Sequence, residues 1–286
     1  MNEVIKNRHD FVFFFDVKDG NPNGDPDQVN LPRVDVEDQH GLVTDVCIKR
    51  KVRNYVMLEK EVQPPFDIFI RQEQVLNDII EGVDGDNIKA RQEKLSEQYY
   101  DIRTFGAVLS TGKKNAGTIR GPVQFTFARS EDRIYQAEHS ITRCAVTTAE
   151  DAKKQESREH ASTFGRKATV PYALYRMHGF VSAMDAVKTK FSEDDLKLLW
   201  KSLINAFEHD RAAARGEMNP RKLVIFKHTG PSGHLGNELS GRLFERVAVK
   251  KNTELPRSNN DYKIVVNREN MPSEITVKVW PEEAVY

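Results

Sequence analysis

The feature that most constrains the fold is an unbroken apolar, largely aromatic run near the start of the chain, Phe11–Phe15. A strand with water on one face alternates apolar and polar residues, whereas this run has no polar position. It therefore predicts a strand that is buried on both faces. The run ends at Asp16, and residues 16–43 are rich in the glycine, proline, aspartate and asparagine that favour turns, so we predict a loop there.

A helix is predicted to follow this loop. Thr44 can cap the free N–H groups of its first turn, and Asp45 places negative charge where the helix dipole favours it. Apolar residues at helical spacing form one stripe: Ile48, Val52, Tyr55 and Val56. Basic residues form an adjoining arc: Lys49, Arg50 and Arg53. The arc has two interpretations, a solvated surface or a row of phosphate contacts that follow a nucleic-acid backbone without reading its bases.

The charge of the chain is balanced but unevenly distributed. Lys plus Arg and Asp plus Glu both total 43, so the formal net charge is zero, which weighs against a free-standing nucleic-acid-binding protein. Residues 16–38 are mostly acidic, whereas residues 49–53, 113–120 and 211–222 are basic. Such segregation could serve RNA on one face and a neighbouring copy on another.

Cysteine content and hydropathy exclude several classes. The two cysteines, Cys47 and Cys144, lie far apart and have no partners at metal-ligand spacing, so neither a disulfide framework nor a zinc site is predicted. The N-terminus has no apolar signal segment and no run approaches the length of a membrane span. We therefore expect a cytoplasmic protein without membrane contacts.

Further along the chain, strand and helix patterns alternate. Helical spacing is found near Ile70–Ile80 and after the capping residue Ser192, and strand patterns are found at Ile119–Ala128, Thr169–Ala183 and Leu223–Phe226. The order strand, helix, strand, strand, helix, strand predicts a ferredoxin-like or RRM-like α+β fold. Residues 263–266 and 275–280 offer two more strands.

Two segments do not fit this core pattern. Residues 62–100 begin with a double proline and are largely polar, which predicts an insertion packed on the main fold. Residues 129–168 contain few large apolar side chains and a dense charged run at 150–160, so they cannot bury themselves in a core. Since no internal repeat or low-complexity linker divides the chain, we predict one elaborated domain over residues 1–286.

Acidic residues offer candidate catalytic and metal sites. Asp19, Asn21 and Asn23 match the first half of a calcium loop, but Asn30 stands where a bidentate carboxylate is needed. Four loop carboxylates could serve metal-dependent phosphoryl chemistry: Asp16, Asp19, Asp25 and Asp27. They are equally ordinary turn formers, and no general base or further ligand set has convincing spacing. The consecutive residues 208–210, Glu-His-Asp, cannot form one relay because adjacent helix positions point in different directions. We predict no catalytic residue, metal or cofactor.

Several sequence segments also resemble those of a known protein family, in the same order along the chain. The segments that carry it are Gly20–Asp27, Thr44–Arg53, Asp101–Gly106, Gly121–Phe125, Thr163–Lys167 and Val170–Arg176. In this order they resemble the repeated backbone subunit of type I CRISPR surveillance complexes (Cascade), a member of the RAMP superfamily, most closely that of subtype I-C. The resemblance spans most of Phe11–His228.

The resemblance implies a fold and a function. The fold would be an RRM-like palm with an inserted fingers and web region at about 62–118 and a projecting β-hairpin thumb at about 129–168, which folds over RNA bound to the adjacent subunit. The function would be that of a non-catalytic scaffold that polymerises head to tail along CRISPR RNA (crRNA) and presents the guide to target DNA in antiviral defence. Type III relatives cut target RNA with a loop aspartate, so a metal-dependent RNA-cutting relative is the alternative.

The implied partners are crRNA, target DNA in the crRNA heteroduplex, further copies of the chain in a helical filament, and the large and crRNA-processing subunits of Cascade. The filament requires a heterologous interface, because a two-fold contact closes on itself. The implied phosphate contacts are Lys49, Arg50 and Arg53. Hydrogen bonds would be added by Thr44, Asn21 and Asn23. Three further RNA contacts are implied by motif location alone: Arg103, Lys113 and Arg166.

Overall fold

The structure is a computed structural model that describes residues 3–112, 114–142, 145, 146, 148–150, 152 and 164–286. The strands are β1 (His9–Gly20), β2 (Gly24–Asp25), β3 (Leu31–Pro32), β4 (His40–Val43), β5 (Gly106–Leu109), β6 (Gly117–Arg120), β7 (Val123–Phe125), β8 (Ala128–Arg133), β9 (Ala137–Thr142), β10 (Phe164–Val181), β11 (Glu217–His228), β12 (Val247–Lys251), β13 (Tyr262–Val266) and β14 (Ile275–Trp280). The α-helices are α1 (Asp45–Lys60), α2 (Leu76–Gly82), α3 (Ile88–Gln98), α4 (Tyr100–Phe105), α5 (Ala183–Thr189), α6 (Glu193–Ile204) and α7 (Ser240–Glu245).

The centre of the molecule is an antiparallel sheet built around β1. β1 pairs with β10 on one side and with β11 on the other, and the sheet runs in the order β14-β11-β1-β10-β8-β4, with β7 and β9 also paired to β10. Helix α1 follows β1, and α6 connects β10 to β11. The predicted order strand, helix, strand, strand, helix, strand is therefore confirmed, and with it the α+β, RRM-like palm.

Both faces of β1 are covered, as the aromatic run predicts. Phe11, Phe13 and Phe15 lie in a core formed with α1 and α6, whereas Val12 and Phe14 lie in a second core formed with α7, β12 and β13. All five side chains are fully buried. Since each buried side chain of this size contributes about 1.5–3 kcal/mol, β1 is the main apolar anchor of both layers.

The first strand is longer than the sequence predicts. We expected it to stop at Asp16, but β1 continues to Gly20. Asp16 stays in the sheet because its buried carboxylate accepts hydrogen bonds from Arg221 Nε at 2.7 Å and Tyr172 Oη at 2.9 Å. A buried carboxylate can remain inside a strand when partners neutralise it. Here the partners lie on β10 and β11, which are next to β1 in the sheet but far from it in the sequence.

Helix starts agree with the capping prediction, but two boundaries differ. Thr44 accepts a hydrogen bond from the backbone of Cys47, and Ser192 forms a reciprocal capping box at the start of α6. The helix expected near residues 70–80 is α2, which begins only at Leu76. The single strand expected at 119–128 is divided among the end of β6, the separate strand β7 and the first residue of β8.

The segments predicted as insertions hold their own elements. Residues 62–118 contain α2, α3, α4, β5 and the start of β6 around a small third core that includes Phe69, Leu95 and Ile102. β9 pairs antiparallel with the first part of β10, the ladder expected of a thumb hairpin. The boundaries of both insertions stay predictions, and Cys144 lies outside the described residues. Within the described part of the chain, no helix is long and apolar enough to cross a membrane.

Candidate nucleic-acid interface

A cavity of about 1270 Å³ opens beside α1. It is bordered by the loop after β1, residues 70–72, the junction of α4 and β5, and residues 210–215. Sites for drug-sized molecules measure roughly 300–1,000 Å³, so this space suits a segment of a polymer better than a small molecule. Seven basic residues line it: Arg33, Lys49, Arg50, Lys51, Arg53, Arg71 and Arg215. We call this cavity the basic groove.

Helix α1 supplies four of these cations because its two faces differ. Its apolar stripe packs into the core under the sheet, with Ile48, Val52 and Val56 fully buried. Four basic residues in the first half of the helix, at positions 49, 50, 51 and 53, line the groove. The sequence pattern predicted this division between a core face and a cationic face.

Three of the α1 cations are already paired with carboxylates. Lys49 Nζ lies 2.9 Å from Asp45, one helical turn earlier, and Lys51 is bonded to Asp210. Arg53 Nε donates to Asp101 at 2.8 Å, and the side chain of Arg53 is only 10% exposed. Such pairing fixes the direction of each long side chain before any ligand arrives.

The cations from other segments are held in the same way. Arg33 lies 3.5 Å from Asp25, and Arg71 lies 3.2 Å from Asp67. Arg215 Nε lies 2.9 Å from Asp210, which thus serves two cations. Six of the seven groove cations are therefore ion-paired within the described chain.

Arg50 is the exception. Its side chain is exposed, and the described residues offer it no ion pair. An unpaired guanidinium presents five N–H donors in a planar fork, which suits two oxygens of one phosphate group. Arg50 is thus the groove cation with most capacity for a new anionic partner.

The loop after β1 forms one wall and is closely packed. Asn23 Oδ1 accepts hydrogen bonds from the backbone N–H and the hydroxyl of Thr44, both at 2.9 Å. A Cβ atom on Gly20 would lie 1.8 Å from the carbonyl oxygen of Arg215, and one on Gly24 would lie 1.9 Å from Oδ1 of Asn30. Backbone atoms therefore exclude any side chain at Gly20, whereas a side chain at Gly24 would require the Asn30 side chain to move.

Two more groups shape the floor. The Phe105 ring lies 5.6 Å from Lys49 Nζ and 5.4 Å from the Arg53 guanidinium carbon, close enough for cation–π attraction. Burial raises the pKa of the Cys47 thiol above its ordinary value, so Cys47 is neutral at pH 7. The floor therefore presents cations and apolar atoms and gains no charge from the thiol.

Comparison with known proteins gives the family. The family model described as "CRISPR-associated protein Cas7" matches residues 7–267. The chain belongs to the Cas7 family. It is similar to a Cas7 protein of Haloferax volcanii, with 23% identity over 263 residues that cover 80% of this chain and 73% of the relative.

One solved structure supports the fold. One chain of a "CRISPR RNA-guided surveillance complex, pre-nicking" superposes with a TM-score of 0.51 at 12% identity, over 77% of this Cas7-family chain and 75% of the other. A chain of the Type III-B Cmr-beta complex bound to target RNA gives a TM-score of only 0.42 at 13% identity, over 77% and 61% of the two chains. The predicted resemblance to CRISPR backbone subunits is confirmed at the level of the family, while the subtype stays a prediction.

Six of the nine RNA contacts predicted for this Cas7-family chain line the basic groove: Asn21, Asn23, Thr44, Lys49, Arg50 and Arg53. They come from the loop after β1 and from α1, which the fold brings together along one wall and the floor. Whether they bind RNA stays a prediction. They also have structural duties: for example, the Thr44 hydroxyl caps α1 and Arg53 holds Asp101.

Arg103, also predicted to contact RNA, does not line the groove. It is buried, and its guanidinium forms a two-point pair with Asp195, with Nη2–Oδ1 and Nε–Oδ2 distances of 2.7 and 3.0 Å. Its other donors bind backbone oxygens, including that of Ser96. These contacts join α4 to α6, so Arg103 is structural. Arg166 is exposed on β10 outside the groove, with its Nη1 4.0 Å from Glu138, and Lys113 lies outside the described residues.

The sequence reading missed four of the groove cations: Arg33, Lys51, Arg71 and Arg215. Arg215 and Lys51 had a weak signal, since they fall in the basic segments 211–222 and 49–53. Lys51 lies about 200° around the helix from Lys49 and so was left out of the arc. Arg33 and Arg71 stand in polar loops, where a single basic residue is indistinguishable from an ordinary surface residue.

The acidic residues considered for catalysis are separated by the fold. Asp16 points into the sheet toward Arg221, whereas Asp25 pairs with Arg33 and caps the turn that contains Asp27. Asp210 faces the groove cations. In the described part of the chain, no group of three or more His, Cys, Asp or Glu residues is placed to hold a metal ion. These carboxylates instead fix basic side chains and turns.

Proposed function

We propose that this chain is a non-catalytic scaffold subunit of a CRISPR RNA-guided complex and that the basic groove binds the phosphate backbone of crRNA. The observation that carries the proposal is the groove itself, in which seven basic side chains converge beside α1. Family membership supports the proposal, because it places the chain among CRISPR-associated proteins.

The chemistry of the groove favours backbone contacts over base contacts. Ammonium and guanidinium groups are donors, and phosphate oxygens are acceptors present at every nucleotide. Lys49 and Arg50 would neutralise phosphates, while Asn23 on the facing loop would position the strand. Binding would then be nearly independent of the guide sequence, as a subunit that serves many guides requires.

The assembly follows from a repeated contact. Copies would polymerise head to tail along crRNA through a heterologous interface, since only such an interface extends into a filament. The motifs of the sequence support type I, subtype I-C, with target DNA recognised through pairing to the crRNA and with the large and crRNA-processing subunits as partners. Arg166 and Lys113 would contact RNA from the thumb and fingers regions. The complex would act in the cytoplasm, where it meets guide transcripts and invading DNA.

A non-catalytic role is supported by the use of the acidic residues. A metal-dependent RNA-cutting site needs carboxylates that converge on bound ions. Asp16, which would have been one of them, is 1% exposed and paired with Arg221 inside the sheet. Asp25 is committed to Arg33. We therefore propose no catalytic residue for this chain.

The substitution Arg50→Ala tests the proposal. Losing one phosphate contact should make the plot of log association constant against log salt concentration less steep, by about 0.7 in slope for single-stranded RNA. It should also weaken binding several-fold at low salt. The measurement is filter binding of a single-stranded RNA oligonucleotide over a series of salt concentrations.

Arg242→Ala is the matched control. Arg242 is also an exposed helix arginine, with 68% of its side chain exposed, but it lies on α7, on the opposite side of the sheet from α1. The Arg242→Ala variant should keep the wild-type affinity for RNA and the wild-type dependence of that affinity on salt. Equal behaviour of the two variants would refute the assignment of the groove.

A further inference from the structure

One side chain of the basic groove has an unpaired hydrogen-bond acceptor, which a phosphate group, also an acceptor, cannot satisfy. Asn21 lines the groove and is only 7% exposed. Its amide oxygen, Oδ1, is buried and has no hydrogen-bond partner among the described residues. Buried acceptors are nearly always paired in folded proteins, so this atom requires an explanation.

The orientation of the Asn21 amide is fixed by its other bonds. Nδ2 donates to the carbonyl oxygen of Asn30 at 2.7 Å, and the backbone N–H donates to Ala214 at 2.8 Å. Exchanging the amide oxygen and nitrogen would set two oxygens against each other. The unpaired atom is therefore an acceptor, and it needs a donor.

The phosphate groups of a nucleic acid carry no hydrogen to donate at neutral pH. Base N–H groups can donate, but they differ from one nucleotide to the next. The ribose 2′-hydroxyl can donate at every nucleotide, and DNA lacks it. We propose that Asn21 Oδ1 accepts a hydrogen bond from a ribose 2′-hydroxyl and thereby makes the basic groove selective for RNA over DNA. This inference rests on the proposed function and adds the feature of the ligand that the groove recognises.

Because Asn21 Oδ1 is buried, a hydroxyl group can reach it only if the loop that carries Asn21 moves. Val29 and Asn30 occupy successive left-handed conformations, with φ of 51° and 61°. A β-branched residue such as Val29 is rarely found there, so the loop holds backbone strain that a rearrangement can release. Because Nδ2 of Asn21 is bonded to Asn30, movement of this loop moves the amide.

The test compares two single-stranded oligonucleotides of one sequence, one all-ribose and one with 2′-fluoro sugars. The 2′-fluoro sugar keeps the ribose pucker but has no hydroxyl hydrogen. The wild-type protein should bind the ribose form about three- to ten-fold more tightly, the effect of one net hydrogen bond. In Asn21→Ala the two affinities should become equal.

The Arg50→Ala variant separates the preference for ribose from the electrostatic contribution to binding. It should weaken binding of both oligonucleotides while preserving their ratio. Equal affinities in the wild type, or an unchanged ratio in Asn21→Ala, would overturn the inference while leaving the proposed function intact. A bound water on Oδ1 in place of the hydroxyl would give equal wild-type affinities. Should neither oligonucleotide bind, the proposed function fails and this inference with it. Even if Asn21→Ala does not fold, equal wild-type affinities for the two oligonucleotides would still overturn the inference.

Discussion

Single residues of the basic groove differ in what they can offer a ligand. Arg50 is exposed and unpaired within the described chain, whereas Lys49, Lys51 and Arg53 are each held by a carboxylate. The pairing lowers the net positive charge, but it also orders side chains that would otherwise lose rotamer freedom on binding. The groove is therefore preorganised, and its affinity for phosphate depends strongly on Arg50.

Elsewhere, burial makes one histidine sensitive to acid. Burial lowers the pKa of His9 to about 3, and nearby Lys227 adds to the effect. In the unfolded chain His9 takes up a proton as pH falls below about 6.5, whereas the folded chain excludes that proton until about pH 3. The contribution of neutral His9 to the free energy of unfolding is thus fully present above pH 6.5 and is lost as pH falls toward 3. His9 should reduce the free energy of unfolding by about 2 kcal/mol between pH 7 and pH 5.

Urea unfolding at pH 7 and pH 5 checks this prediction. The substitution His9→Gln should make the difference between the two pH values about 2 kcal/mol smaller than in the wild type. His209→Gln, a substitution at an exposed histidine, should keep the wild-type difference. A His9→Gln variant that loses as much stability as the wild type on acidification would show that His9 is not the group responsible.

The arc on α1 shows how far residue-level prediction reaches. Helical spacing alone placed Lys49, Arg50 and Arg53 beside the core stripe, and all three line the groove. It could not show that Arg53 is buried, because its partner Asp101 lies 48 positions away. The same limit applies to the burial of Arg103, whose partner Asp195 is 92 positions away. Side-chain spacing predicts a face, whereas the partner on that face depends on tertiary structure.

At the scale of elements, α4 connects the inserted region to the groove. The carboxylate of Asp101 is 1% exposed and accepts hydrogen bonds from Arg53 on α1. It also accepts from the backbone N–H groups of Phe69 at 2.8 Å and Ile70 at 3.0 Å. One carboxylate therefore holds the floor of the groove to the segment that carries Arg71.

Removing that carboxylate should weaken the whole fold. Asp101→Ala leaves the Arg53 guanidinium buried without its partner, which typically costs about 3–5 kcal/mol. The measurement is the free energy of unfolding in urea at pH 7. Asp84→Ala, at an exposed acidic residue of the same insertion, should change it by less than about 0.5 kcal/mol. A loss below about 1 kcal/mol in Asp101→Ala would contradict the role given to this carboxylate.

Elements with a strong local pattern were predicted well, and those that depend on distant partners were not. The aromatic run gave β1, and the caps Thr44 and Ser192 gave the starts of α1 and α6. The extension of β1 past Asp16 was missed because Arg221 and Tyr172 neutralise that carboxylate from other strands. The short strands β5 and β6 gave no clear signal, since four-residue strands carry too few positions to show alternation.

For the whole molecule, a net charge of zero coexists with a concentrated basic surface. The 43 basic and 43 acidic residues cancel in total, yet seven of the basic residues line one cavity. The electrostatic field of the whole protein should steer RNA only weakly. Retention of RNA therefore depends on contacts in the basic groove and on the binding of several copies along one RNA strand. The number of bound copies should therefore increase with RNA length.

The most direct test of the central claim is the mass of the complexes that the purified chain forms on single-stranded RNAs of increasing length, before and after RNase treatment. The account predicts that the number of bound copies rises in steps with RNA length and that RNase returns the chain to its RNA-free state. A copy number that is independent of RNA length, or an oligomer that survives complete digestion of the RNA, would contradict it.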